Sequence, residues 1–205
     1  MLALIEAAGW PIWFLIACSV VALALMVERA LSLRRSRVAP KGLLEELLAR
    51  RERQPLSYDL LDRLAAGSAL GRILATGIRH ESGGPAAMRQ AMQEAGQTVA
   101  HELGRYLTAL GTVASIAPLL GLFGTVIGMI EIFAASSPGS ASANPQQLAQ
   151  GISIALYNTA FGILIAVPAM IAYRHFRARV DGLLVLMEQQ ASSLVNYCVV
   201  AAERS

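Results

Sequence analysis

The chain has 205 residues, 55% of them hydrophobic and only 15% charged, against roughly 25% charged in soluble domains. A soluble domain of this size lacks the interior to hide so much apolar surface, so composition argues for lipid and against disorder. Two cysteines are too few for a disulfide-built scaffold, and the net charge of +3 says less than where the charges fall.

Three long uncharged runs organise the chain. Ala7 to Val27 is 21 residues and Tyr106 to Ile130 is 25, while 42 uncharged residues separate Glu131 from Arg174. About 20 helical residues cross a hydrocarbon core of roughly 30 Å. The first two runs are each one span. The third holds a polar stretch, Ser136 to Gln150, and then one more span, Gly151 to Tyr173. The expected fold class is therefore all-α, an integral membrane protein with three transmembrane helices.

Thirteen of the 17 basic residues lie between Arg29 and Arg105, and the other four at or after Arg174. Basic residues stay on the cytoplasmic side. The expected layout is an outer N-terminus and first span over 1–35 and a cytoplasmic helical region over 36–105. The second span follows over 106–135, a periplasmic loop over 136–150, the third span over 151–173 and a cytoplasmic C-terminal helix over 174–205. A cleavable signal peptide is not expected, because Arg29, Arg34, Arg35 and Arg37 follow the apolar run instead of preceding it. Leu15-Ile16-Ala17-Cys18 loosely resembles a lipoprotein box, but the apolar run continues past Cys18. Trp10 and Trp13 suit an outer interfacial anchor.

Between the spans, Gly42 to Arg53 predicts a helix with Leu43, Leu44, Leu47 and Leu48 on one face, broken by Pro55. Tyr58 to Arg79 reads as a second helical region interrupted by Gly67 and Gly71. Ser82-Gly83-Gly84-Pro85 reads as a turn. From Ala86 the helical pattern has no breaker before Gly104 and is expected to enter the second span directly. The third span has no stop at Tyr173. It is expected to continue to Ala202, with Val180, Leu184, Met187, Ala191, Leu194 and Cys198 at core-like spacing.

The second span carries small residues at Ala114, Ala117, Gly121, Gly124 and Gly128. The third carries Ala155, Thr159, Gly162, Ala166 and Ala169. Helices in lipid associate through close backbone approach and dispersion, so such stripes mark helix–helix contact. The second and third spans are expected to line an interior, with the bulkier first span outside. Each lining helix has one proline, Pro118 and Pro168. Each frees a backbone carbonyl, which either serves a pathway or accompanies a packing kink.

Polar groups in the spans are few. Thr125 and Thr159 sit in the small-residue faces at similar expected depth, and two hydroxyls facing one interior could hold a file of water. The alternative is that each hydroxyl bonds back to its own helix. Asn158 precedes Thr159. Glu131 is either a functional intramembrane carboxylate or the interfacial end of its span. No enzymatic constellation is present. His80, His101 and His175 are isolated, so no metal spacing occurs. Gly121–Gly128 imitates a phosphate loop in glycine count only, because it has no lysine.

The run Ala117-Pro118-Leu119-Leu120-Gly121-Leu122-Phe123-Gly124-Thr125-Val126-Ile127-Gly128-Met129-Ile130 resembles the second-helix signature of the MotA/TolQ/ExbB proton-channel family. The run Ala155-Leu156-Tyr157-Asn158-Thr159-Ala160-Phe161-Gly162-Ile163-Leu164-Ile165-Ala166-Val167-Pro168-Ala169 resembles its third-helix signature. With three spans the chain is similar to the ExbB/TolQ branch, since the MotA branch has four. The resemblance implies a homopentamer in a bacterial inner membrane around two copies of an ExbD- or TolR-like partner with a membrane aspartate. It implies protons as the coupling ion with no cofactor, and a TonB-like or TolA-like protein as recipient of the force. It places Thr125 and Thr159 on the family's pore threonines. Ala117, Pro118, Gly121, Gly124, Gly128, Ala155, Gly162, Ala166 and Pro168 then pack or line the pore.

One departure stands out. Many ExbB and TolQ members carry a glutamate where this chain has Ile154. Glu131 lies six residues beyond Thr125, roughly 9 Å outward, a depth comparable to Ile154. Its helical phase is about 120° off the Thr125 face. Partial substitution by Glu131 is the expectation. Conduction is expected to need the partner, since the lining has no aspartate of its own. A TolQ-like role and a non-conducting scaffold are the alternatives carried forward.

Overall fold

A computed structural model describes residues 10–54, 56–135 and 145–203. The described residues form helices joined by short turns, with no strand among them. They are α1 (Ile12–Ser32), α2 (Arg35–Val38), α3 (Leu43–Arg53), α4 (Tyr58–Gly67), α5 (Ala69–Arg79), α6 (Gly84–Ala135) and α7 (Pro145–Glu203). Three of these, α1, α6 and α7, are long and apolar enough to cross a membrane. The all-α, three-span reading therefore holds. The expected breaker Pro55 and residues 1–9 and 136–144 lie outside the described residues.

Local chemistry explains the boundaries. α3 begins after Gly42, whose φ of 78° is a left-handed conformation open to glycine. The 58–79 region breaks once and not twice. Ser68 caps α5, its hydroxyl accepting from the Gly71 N–H at 3.0 Å. Gly67 is the last residue of α4, and Gly71 lies inside α5. Gly71 is no breaker: a β-carbon there would fall 2.2 Å from the Leu64 carbonyl oxygen. Glycine at 71 lets α5 approach α4 closely.

The 82–85 turn is a short 3₁₀ helix, Glu81–Gly83, followed by Gly84 at φ 84°. α6 then runs unbroken for 52 residues through Pro118. α7 runs for 59 residues through Pro168 and starts at Pro145, earlier than the expected loop end at 150. Proline suits a helix's first turn, where its missing N–H leaves no bond unmade.

The chain divides into two compact units. The membrane unit comprises the described residues of Met1–Glu28 with Tyr106–His175, and the charged unit those of Arg29–Arg105 with Phe176–Ser205. In the charged unit the core is built from large side chains: Leu33, Leu70, Leu74, Met88, Val99, Met187, Leu194 and Val195 are all but fully buried. Leu44 and Leu47 of the predicted α3 face are buried, while Leu43 and Leu48 are half-buried. On α7, Val180, Met187, Leu194 and Cys198 are buried as spaced, but Leu183 and Val195 replace Leu184 and Ala191 in the core. Leu184 and Ala191 instead line a cavity of about 510 Å³ with Arg89 and Glu188. The stripe keeps four of its six expected positions and widens to Leu183 and Val195 on either side, because α7 meets several partner helices and not one.

Candidate functional site

In the membrane unit, α6 and α7 touch backbone to backbone. A β-carbon on Gly121 would lie 2.6 Å from the Asn158 carbonyl oxygen and 3.0 Å from the Thr159 Cα. Reciprocally, a β-carbon on Gly162 would lie 2.6 Å from the Ala117 carbonyl oxygen and 3.3 Å from the Pro118 Cα. Two turns further along α6, Gly128 meets Ala155, with 3.0 Å left for a β-carbon. Ala114, Ala117, Ala155, Ala166 and Ala169 complete the buried seam. The predicted small-residue faces are thus spent on contact between two helices of one chain. Dispersion at this range holds helices together in a solvent that offers no hydrophobic drive.

Asn158 is the polar member of that seam and is 1% exposed. A β-carbon on Gly124 would come within 2.9 Å of its Cγ and Nδ2. Gly124 therefore makes the room that the Asn158 amide fills. The sequence names Asn158 as polar but assigns it no part; the signal was its place one residue before Thr159, opposite two glycines.

Thr125 is half-buried, and its hydroxyl donates to the Leu122 carbonyl at 2.7 Å. The back-bonding alternative is thus realised at this residue. A hydroxyl has one donor and two acceptor lone pairs, so Thr125 keeps the capacity to accept a hydrogen bond from outside. It borders an open groove of about 540 Å³ lined by Val126, Met129, Ile130, Phe133 and Ala134. Thr159 is half-buried on α7, with its backbone against Gly121. Glu131 is exposed on α6, two turns toward the end of that helix. Ile154 is helical.

Pro118 is packed at the seam against Gly162, whereas Pro168 lines a groove of about 400 Å³ beside α1. Each proline leaves the carbonyl four residues earlier, Ala114 and Leu164, without its helical N–H. α1 packs through Ile12, Leu15 and Ala22 and exposes Trp13, Phe14, Val20, Leu23 and Val27. Trp10 meets Phe14 and Phe123 edge-on at 5.8 and 6.0 Å.

A second polar stripe was not foreseen. Thr108, Thr112 and Ser115 line an open groove with Gly111 and Tyr173. The Thr112 hydroxyl donates to the Thr108 carbonyl at 2.9 Å, and the Ser115 hydroxyl to the Gly111 carbonyl at 3.0 Å. The i, i+4, i+7 spacing was the signal for it.

In the charged unit one polar cluster ties the end of α7 to α3. Arg51 pairs with Glu81 and donates to the Cys198 sulfur at 3.0 Å. The Tyr197 hydroxyl donates to Glu52 at 3.0 Å, and the Arg51 guanidinium lies 6.0 Å from the Tyr197 ring centre. Burial pushes the Cys198 thiol above its ordinary range, against the opposing pull of Arg51. The Glu52 hydrogen bond raises the Tyr197 phenol likewise. Arg29 is buried and donates to the Leu103 carbonyl at 3.1 Å.

The profile of the MotA/TolQ/ExbB proton channel family matches residues 65–189. The biopolymer transport protein ExbB1 of Vibrio cholerae is 33% identical over 165 residues, 79% of this chain and 72% of its own. A putative ExbB-like biopolymer transport protein of Synechocystis is 28% identical, across 88% of this chain and 86% of its own. The Tol-Pal system protein TolQ of Haemophilus influenzae is 46% identical over 74 residues, 36% of this chain and 32% of its own.

Proposed function

Because the chain belongs to the MotA/TolQ/ExbB proton channel family, in its ExbB/TolQ branch, we infer that it is the stator-like channel subunit of an inner-membrane motor. It couples the proton gradient, with an ExbD-like partner, to TonB-dependent transport at the outer membrane. The observation that carries the ExbB role is extent. The ExbB-type relative aligns over 79% of this chain and the TolQ-type relative over 36%. The higher local identity of that TolQ, 46%, favours a second reading, a TolQ-like subunit of the Tol envelope and division system.

In this reading the chain assembles as a homopentamer around two single-span partner helices, each with a membrane aspartate. Its N-terminus faces the periplasm, and the charged unit lies in the cytoplasm, where its basic residues belong. The α6–α7 seam is closed by glycines and alanines, so it is a frame and not a passage. The lining is then left to the flank of α6 that carries Thr125 and to Thr159 of α7. Thr125 donates its own hydrogen to Leu122, so it accepts a hydrogen bond from water or from the partner's carboxylic acid and orients that donor. No carboxylate of this chain lies between them, and conduction needs the partner's aspartate. Glu131 stands in part for the glutamate absent at Ile154. One proton crossing 100 mV releases about 2.3 kcal/mol, so several protons drive each mechanical cycle.

The test is acid-pulse proton flux in liposomes holding the chain with its co-purified partner. The pair should conduct, the chain alone should not, and Thr125→Val with Thr159→Val should abolish conduction. A non-conducting scaffold would be indifferent to the double change, and that result would overturn the channel reading. Native mass spectrometry of the gently purified complex should give five copies with two of the partner. The partner's identity chooses between the ExbB and TolQ roles.

A further inference from the structure

The segment after α1 carries charge of one sign. Between Glu28 and Glu45 lie Arg29, Arg34, Arg35, Arg37 and Lys41 and no carboxylate. Arg34, Arg35, Arg37 and Lys41 are exposed. Elsewhere in the same unit Arg50, Arg51, Arg63, Arg72 and Arg79 each meet a carboxylate. Among the described residues none pairs with these four. The backbone that carries them is firmly held. Leu33, Val38 and Ala39 are at most 4% exposed, and the Ala39 N–H closes the single turn of α2 on the Arg35 carbonyl at 2.9 Å. Buried apolar pins alternate with outward cations, so the charges are presented at low entropic cost.

Position selects the ligand. α1 ends at Ser32, five residues past its uncharged run, which closes at Val27, so these cations begin two residues and end nine residues past the helix. Phospholipid phosphates lie at that level. Guanidinium groups bind phosphate oxygens in pairs of parallel hydrogen bonds. A basic cluster directly beyond a span gains about 1 kcal/mol per cation at an anionic surface, which is about fivefold.

We propose that Arg34, Arg35, Arg37 and Lys41 form a docking site for anionic phospholipid headgroups. The site prefers phosphatidylglycerol-type lipid over zwitterionic lipid and fixes the depth of the chain at the inner end of α1. It is independent of proton conduction.

The test is native mass spectrometry of the full complex in detergent, titrated with phosphatidylglycerol or phosphatidylcholine of identical acyl chains. Phosphatidylglycerol should be retained on the order of a hundredfold more strongly. R34Q/R35Q/R37Q should remove most of that preference, R34K/R35K/R37K should keep it, and R63Q, which breaks an exposed ion pair instead, should leave it unchanged. If the triple glutamine variant does not assemble, the three single variants take its place, each expected to lose about threefold to fivefold. Equal retention of the two lipids, or a preference untouched in the triple and in every single variant, overturns the site. Displacement of the lipid by inorganic phosphate at matched concentration also overturns it, in favour of a soluble anion.

Discussion

The two ends of α6 do one task with different materials. In the charged unit it packs through Met88, Met92, Val99 and Leu103; in the membrane unit it packs through Ala114, Ala117, Gly121 and Gly124. α7 repeats the change in reverse, from Ala155, Gly162, Ala166 and Ala169 to Val180, Leu183, Met187 and Leu194. Water drives large side chains inward, because each buried one gains about 1.5–3 kcal/mol. Lipid gives no such gain, so contact must come from bringing backbones together. The outer faces invert as well. The membrane unit exposes Leu119, Phe133, Leu164 and Ile171, whereas the charged unit exposes ion pairs such as Arg63 with Asp59.

Substitutions that exchange the two materials should break the comparison most. Gly162→Leu drives a side chain into the Ala117 carbonyl and should abolish folding of the membrane unit, read as loss of the monodisperse peak on size exclusion. Leu194→Ala opens a cavity in the water-side core and should cost about 2–5 kcal/mol, read by thermal unfolding in detergent. Gly162→Ala adds one methyl against rigid backbone and should cost about 1–3 kcal/mol. Gly77→Ala meets the Met92 side chain and no backbone, and should cost less than Gly162→Ala in the same unfolding assay because a side chain yields more readily. Gly182 has open space around its α-carbon within α7. Gly182→Ala should therefore stabilise by about 0.5–1 kcal/mol through helix propensity.

A pH titration sharpens the comparison from the charged side. The folded state holds the Cys198 proton to higher pH than the unfolded chain does. The unfolded state thus binds fewer protons as pH climbs past about 8.5, and stability falls there. Cys198→Ala should remove the thiol's share of this alkaline loss, measured as unfolding midpoint against pH. An unchanged slope would mean that the Arg51–Glu81 pair and Tyr197 alone govern that corner.

Three apolar spans and the long helices were legible because hydropathy and breakers are local. Gly71 was misread because an interior glycine signals a break or a close approach equally well, and only the Leu64 carbonyl beside it decides. The stripe on α7 was misplaced at Leu184 and Ala191, since a helix facing several neighbours has no single buried line. At the candidate site, Thr125 and Thr159 stood out by type and position. The commitment of the Thr125 proton to Leu122 and the fit of Asn158 beneath Gly124 did not.

The sequence by itself determined that the chain is helical, that three segments suit a membrane and that α6 and α7 carry faces narrow enough to touch. Those are one-dimensional properties: hydropathy, spacing and side-chain size. Only the tertiary structure decided that those faces meet each other within one chain, that Gly121 and Gly162 each clear a partner carbonyl, and that Arg51 pairs with Glu81 and reaches Cys198, 147 residues further on. Which face meets which depends on how helices distant in sequence turn about their axes, and that follows from packing all the side chains at once.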